Sequence, residues 1–202
     1  MIKLKTFAIG TLQANCYLVY DTNSKEGFLI DPGVFDEGIK KEIEMLGIKI
    51  KAIINTHGHS DHIAGNKKFG YPVLIHKNDS SFLGNPAKNL SLFTGTLSIS
   101  PRAHGLFVDG EVIKASEIEL IVIHTPGHTP GGISLKVGDK VFTGDTLFRE
   151  NIGRTDLPGG SQVDLLRSIR ERLLTLPDDT EVFPGHGPSS TIGHERKHNP
   201  YL

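Results

Sequence analysis

Apolar and polar positions alternate along the first thirty residues. Lys3–Ile9, Asn15–Tyr20 and Gly27–Ile30 read as short strands, and Asp31-Pro32-Gly33 reads as a turn. Asp36 predicts a helix N-cap. Ile39, Ile43 and Leu46 follow at i, i+4, i+7 spacing, and Gly47 is a stop signal. Ile50–Asn55 is almost wholly apolar, the pattern of a strand covered on both faces, and it leads directly into a group of histidines. Tyr71–His76 reads as a further strand. Asn78–Ser100 is polar, rich in small residues and weakly periodic, and is expected to form a long excursion over a site. Asp109-Gly110 predicts a hairpin between Leu106–Val108 and Glu111–Lys114. Ile118–Ile123, Gly132–Val137 and Lys140–Thr143 are three more strands, with Gly138-Asp139 as the tight turn between the last two. Ser161–Thr175 is the clearest helix. Ser161 caps it, Asp164 takes the capping-box position, and Leu165, Leu166, Ile169 and Leu173 form its apolar stripe. Glu181–Phe183 is a last strand, broken by Pro184-Gly185. This order predicts two packed sheets covered by helices.

The length of 202 residues, with no repeat and no low-complexity linker, predicts one domain over 1–202. Lys+Arg of 22 against Asp+Glu of 23 argues against a broad nucleic-acid-binding face. The single cysteine, Cys16, permits no intrachain disulfide and no cysteine-built zinc site, and its place in an apolar strand reads as core. No leader-type apolar run precedes a small-residue cleavage site, and no run is long enough to span a bilayer. A cytoplasmic location, with no membrane partner, is therefore expected. The oligomeric state leaves no signal. Histidine is abundant at 10, and it is the commonest metal ligand.

The candidate chemistry lies in Thr56-His57-Gly58-His59-Ser60-Asp61-His62, between an apolar strand and the start of a helix. An extended strand end points His57 and His59 to one side. His62 lies about one helical turn beyond His59, and Asp61 adds an oxygen ligand. Crowded imidazoles and a carboxylate lose water contacts, which partners or a cation must replace. Three later segments repeat one pattern, an apolar strand followed by a Gly-rich turn with one ligand-type residue: IVIHTPGHTPGG with His128, VFTGDTLF with Asp145, and VFPGHGP with His186. Seven candidates exceed the roughly three protein ligands of one catalytic zinc. They suit a pair of cations sharing a bridging carboxylate.

On THGHSDH (56–62), HTPGHTPGG (124–132), GDTLFRENIGRTDLPGG (144–160), PGHG (184–187), NCYLV (15–19) and IDPG (30–33), the chain resembles the metallo-β-lactamase-fold hydrolases. Within them it is most similar to the single-domain glyoxalase II-like (hydroxyacylglutathione hydrolase-like) branch. The resemblance implies an α+β, four-layer αββα sandwich with two mainly antiparallel sheets and helices on the outer faces. It assigns His57, His59 and His128 to one metal, Asp61, His62 and His186 to the other, and Asp145 as the bridge. Asp31 is implied to support a ligand rather than to bind metal. The expected cofactors are two divalent ions, zinc first, with iron or manganese also compatible. The implied reaction is hydrolysis of a small-molecule acyl thioester such as S-lactoylglutathione by a bridging hydroxide, with Asp61 and Asp145 as the catalytic carboxylates.

Two-domain glyoxalase II proteins hold glutathione partly through a Lys and a Tyr in a segment matching GRTDL (153–157). Here those positions are Arg154 and Asp156, so Arg154 is the candidate substrate-binding residue, weighed against an ion pair with Asp156. Three other readings compete. A mono-iron persulfide dioxygenase-like enzyme would use His57, His128 and Asp145. A β-lactamase would usually lack a bridging Asp at the position of Asp145. A non-catalytic metal-binding or scaffold protein would be expected to have lost ligands. His76, His104, His194 and His198 match no ligand motif, and His124 is a candidate supporting residue.

Overall fold

The computed structural model describes residues 1–93 and 97–202. The first half contributes β1 (Ile2–Ile9), β2 (Ala14–Asp21), β3 (Glu26–Ile30), β4 (Lys49–Asn55), β5 (Val73–His76) and β6 (Gly105–Phe107), hydrogen-bonded in that order as one sheet. The second half contributes β7 (Val112–Ala115), β8 (Ile118–His124), β9 (Ile133–Val137), β10 (Lys140–Gly144), β13 (Glu181–Pro184) and β14 (Ser190–Thr191). These form a second sheet in the order β14-β13-β10-β9-β8-β7. A short ribbon of β11 (Leu147–Phe148) and β12 (Asn151–Ile152) follows β10.

The apolar pattern explains the layers. Every residue of β2 is buried because the strand is covered on both faces. Tyr17 and Val19 face the other sheet and meet Leu120, Val122, Leu135 and Phe142 in the central core. Cys16, Leu18 and Tyr20 point the other way, into a cluster with Ile39 and Ile43 of helix α1 (Glu37–Leu46). Cys16 is thus a core residue, as its strand context predicts. Asp36 caps α1 by accepting from the Ile39 amide, and Gly47 ends it in the left-handed conformation at φ 66°. Ser161 caps α4 (Gln162–Ser168) by accepting from Asp164 N. The helix then continues through a π-helical turn at Ile169–Leu173. Leu165, Ile169 and Leu173 seal the outer face of the second sheet against Val141 and Val182. The expected four-layer α+β sandwich is the observed fold.

Three details differ from the sequence reading. Mainly antiparallel pairing holds for the second sheet, but β3–β4, β4–β5 and β5–β6 are parallel. The α1 crossover between β3 and β4 returns the chain in the same direction. Asp109-Gly110 does not close a hairpin, because β6 stays in the first sheet while β7 joins the second. The turn is fastened to β8 instead: Asp109 Oδ1 accepts from His124 N at 2.8 Å, and Gly110 N donates to Val122 O at 2.9 Å. A helix that the sequence reading omits, α5 (Ile192–His198), follows β14. Its buried Glu195 accepts from the Glu150 amide at 2.8 Å and from Ser190 Oγ, tying α5 to the β11–β12 ribbon. The long excursion 78–100 begins with a 3₁₀ helix at Lys77–Phe82, and its residues 94–96 lie outside the described residues. Among the described residues no helix is long and apolar enough to cross a membrane.

Candidate metal centre

Four chain segments leave neighbouring strand ends and converge at one edge of the sandwich. Beyond β4, residues 56–59 run into the short helix α2 (Ser60–Ile63), which carries Asp61 and His62 and is followed by α3 (Asn66–Phe69). The β8–β9 link presents His128, the end of β10 presents Asp145, and the end of β13 presents His186. The seven expected residues therefore meet. Ligand atoms of His57, His59 and His128 lie within 4.8 Å of one another, as do those of Asp61, His62 and His186, and each trio could hold a metal ion. The Asp145 carboxylate stands between the trios. Its Oδ2 is 3.5 Å from His128 Nε2 and 3.7 Å from His186 Nε2, and its Oδ1 is 3.4 Å from His62 Nε2. Such an approach requires glycine at 185, where a Cβ would collide with Asp145 Oδ1.

Three of the five imidazoles are aimed by what their other edge touches. His62 Nδ1 faces Asp31 Oδ2 at 3.0 Å, His128 Nδ1 faces Arg154 O at 2.8 Å, and His186 Nδ1 faces Leu12 O at 3.0 Å. With those nitrogens donating, the three Nε2 atoms point inward. Asp31 is itself fixed by accepting from Thr56 N at 2.8 Å and Thr56 Oγ1 at 2.5 Å, and a carboxylate oxygen of it also lies within 4.8 Å of ligand atoms of His57 and His62. His59 Nδ1 lies 2.8 Å from His128 Nε2.

The electrostatics divide the group. Burial pushes His57 well below its ordinary pKa, and His59 down to about 3, so both rings stay neutral. Burial also disfavours a charged His62, but Asp61, Asp145 and Asp31 outweigh it and hold His62 well above its usual value. Burial alone would raise the Asp145 carboxyl, yet His62, His57 and His128 keep it well below the ordinary carboxylate range. An anionic carboxylate and neutral imidazoles are the forms in which these groups bind cations; Asp145, His57 and His59 already stand in them, whereas a cation at the outer trio would displace the proton that the carboxylates hold on His62. His57 Nε2, His59 Nε2 and Asp145 Oδ1 are buried and have no hydrogen-bond partner among the described residues. Unpaired buried polar atoms are costly, and divalent cations at the two trios would supply partners for His57 Nε2 and Asp145 Oδ1, with His59 facing the deep trio through its Nδ1. The residues present therefore fit a metal pair.

Two positioning residues escape the sequence reading. Asp79, fully buried in the 3₁₀ helix, accepts from Gly58 N at 2.9 Å and Gly131 N at 2.6 Å. It thereby fastens the His57–His59 turn to the His128 loop. Gly58 is required beside it, since a Cβ there would collide with Phe82. Asn15 does the equivalent work around His186. Its side chain donates to Pro184 O at 3.0 Å and Gly187 O at 2.8 Å, and its amide donates to Gly185 O at 2.7 Å. Asp79 sits in a weakly periodic stretch, and Asn15 was legible only as part of NCYLV.

The other expected residues fall outside the cluster. Arg154 pairs side-on with Asp156, through Nε at 2.8 Å and Nη2 at 2.7 Å. His124 does not touch a ligand. It stacks on buried His76 with ring centroids 4.2 Å apart, and its Nε2 faces Pro130 O. His104 accepts from Val73 N, and His194 pairs with Glu150.

A family model described as the metallo-beta-lactamase superfamily matches residues 9–186. A protein from Mycobacterium tuberculosis is 40% identical over 97% of this chain and 96% of its own length. Hydroxyacylglutathione hydrolase GloC of Haemophilus influenzae is 34% identical over 100% of this chain and 98% of its own. Among solved structures, BLEG-1 B3 metallo-beta-lactamase superposes with a TM-score of 0.93 at 36% identity, covering 99% of both chains. The di-iron-bound form of TTHA1623 gives 0.85 at 34% identity, covering 98% of this chain and 100% of that one. ETHE1 from Myxococcus xanthus gives 0.79 at 28% identity, covering 98% and 83%.

Proposed function

The chain belongs to the metallo-beta-lactamase superfamily of metal-dependent hydrolases, and we propose that it hydrolyses acyl thioesters or esters at a dinuclear centre. The carrying observation is the placing of Asp145 between two complete ligand trios, with buried lone pairs of His57 and His59 left unpartnered. In this reading His57, His59 and His128 would hold one cation and Asp61, His62 and His186 the other, with the Asp145 carboxylate between the two trios. Bound there, divalent cations supply a lowered pKa for water and polarisation of a carbonyl oxygen.

The protein's own residues do the rest. Asp61 and Asp145 flank the place where a water would sit, and their carboxylates accept its hydrogen bonds and orient it. The three inward-aimed Nε2 atoms of His62, His128 and His186 are locked by Asp31, Arg154 O and Leu12 O, so little reorganisation accompanies reaction. The water oxygen bonds to the carbonyl carbon as water gives up one proton to solvent, the carbon–sulfur bond breaks, the thiolate leaves with the electron pair and takes a proton from solvent, and the acid product ionises to a carboxylate. A thiolate departs without a strong acid, and no Lys or Tyr is among the described residues that line the groove beside the cluster. The similarity to GloC supports S-lactoylglutathione as the first substrate to test.

The test measures metal content per chain and, side by side, S-lactoylglutathione hydrolysis and oxygen uptake with glutathione persulfide. Two divalent ions with thiol release are expected. One iron per chain with persulfide-dependent oxygen uptake would replace this reading with the dioxygenase one. Two bound ions with no hydrolysis across a thioester and ester panel would favour a binding role.

A further inference from the structure

A groove of about 590 Å³ opens beside the metal cluster. Besides the ligands His59, Asp61, His128, Asp145 and His186, its walls are largely apolar: Leu12, Leu90, Phe148, Ile152 and Leu157. Among the described residues the carboxylates lining it are Asp61 and Asp145, which belong to the cluster. Two cations reach it, Arg149 and Arg154. The Arg154 guanidinium is already occupied side-on by Asp156. Arg149 is different. Its nearest carboxylate, Glu150 Oε1, is 3.9 Å from its Nε, and that oxygen is taken by His194 Nε2 at 2.8 Å. Arg149 is also held in place from below. The β11–β12 turn that carries it is fixed by Glu195, through the Glu150 amide, and by Asn199, whose Nδ2 donates to Asn151 O at 3.0 Å.

The wall chemistry describes a substrate. Glutathione brings two carboxylates and an ammonium group. The groove offers in Arg149 a cation engaged only by a long 3.9 Å pair to Glu150 and, among the described lining residues outside the cluster, nothing anionic to meet the ammonium. Burying charges without partners is costly, whereas an apolar body gains by leaving water. We propose that the groove selects an acyl thioester or ester with one anionic group on an otherwise apolar body, and that Arg149 binds the anion. The proposal rests on the hydrolase reading above and narrows it. A guanidinium with free donors suits a carboxylate or phosphate, which it grips through two N–H groups.

Three thioesters separate the possibilities. The first is the 3-phenylpropanoyl thioester of 3-mercaptopropionate, which is apolar with one carboxylate. The second is the same acyl group on 3-mercaptopropionamide, which is neutral. The third is S-lactoylglutathione. With the metal-loaded protein, kcat/KM for the first is expected to exceed both others by about tenfold or more, the scale of one charge-assisted hydrogen bond. Arg149→Ala should cut the anionic-over-neutral ratio about tenfold, and Arg149→Glu should invert it. Calorimetry with the thioether analogue of the first compound gives a readout independent of turnover, and its affinity should fall in parallel. Equal or better turnover of S-lactoylglutathione, or a ratio that Arg149→Glu leaves unchanged, would overturn the proposal. If no thioester is cleaved but the thioether binds through Arg149, the groove assignment stands and the hydrolase reading falls. If the thioether does not bind either, both fall.

Discussion

The two halves of the metal centre are built differently. The deep half, His57, His59 and His128, is three imidazoles that are 2%, 4% and 4% exposed. It contains no carboxylate of its own, and two of its nitrogens lack partners. The outer half mixes His62 with Asp61 and His186, whose side chains are 21% and 27% exposed. Its members already satisfy one another, with His186 Nε2 3.2 Å from Asp61 Oδ2 and His62 Nε2 3.6 Å from it. The contrast teaches that a cation relieves a deficit in the deep half, whereas in the outer half it displaces ion pairs that water also reaches. The deep half should therefore bind more tightly and exchange more slowly.

The largest effect tests what the halves share. Asp145→Asn removes the charge that faces both trios. Turnover is expected to fall by about a thousandfold or more, and metal content to drop from two ions to at most one. Near wild-type turnover with two ions would show that the trios do not need a common carboxylate, and the comparison would lose its premise.

Metal removal comes next. Chelator should take the outer ion first, giving two phases in a metal-release trace, and the remaining ion should leave only on longer exposure. Each ion that binds the folded chain alone adds about 2.7 kcal/mol at a concentration of 100 times its dissociation constant. The stripped protein should melt lower by several degrees at least. A single release phase would mean that exposure and donor set do not distinguish the halves.

Much of this was legible in the sequence because ligands at strand ends leave local traces. THGHSDH, GDT and PGHG each follow an apolar run, and glycine marks the places where backbones crowd, as at Gly58 and Gly185. The supports were not legible, since they act over long separations. Asp79 lies 52 residues from Gly131, and Asn15 lies 169 from Pro184. No periodicity announces a carboxylate that works by accepting two distant amides. The misread Asp109-Gly110 turn has the same origin: turn chemistry is local, but which sheet receives the next strand is decided by contacts such as Asp109 with His124 N and Arg172. Helix α5 was missed because its seven residues, IGHERKH, bury only Ile192, Gly193 and Glu195 and carry no apolar stripe.

These supports allow the halves to be loosened one at a time. Asp79→Ala leaves the amides of Gly58 and Gly131 without their acceptor, at a cost of about 1–3 kcal/mol each. It should weaken the deep ion about 10- to 100-fold, the usual scale for groups that orient ligands, with a smaller change in the outer one. Asn15→Ala should do the reverse through the His186 loop, with a smaller effect because that half is wetter. Both are read by competitive metal titration alongside melting. If each variant lowers melting but weakens both ions equally, the supports hold the fold and not a particular half.

The smallest effect is expected at Arg154, where side chain and backbone separate cleanly. His128 Nδ1 faces the Arg154 carbonyl, which any residue supplies. Among the described residues the guanidinium meets Asp156 alone, and that pair is more than half exposed on both sides. Exposed pairs in water contribute little, because solvent screens them and holding two long side chains costs entropy. Arg154→Ala should therefore keep two ions per chain, with deep-ion affinity within about twofold of the unmodified protein. Loss of the deep ion would mean that the ion pair, rather than the main chain, fixes the 153–156 segment against His128. The rigidity of the deep half would then depend on a contact at the surface, and its distinction from the outer half would have to rest on donor type alone.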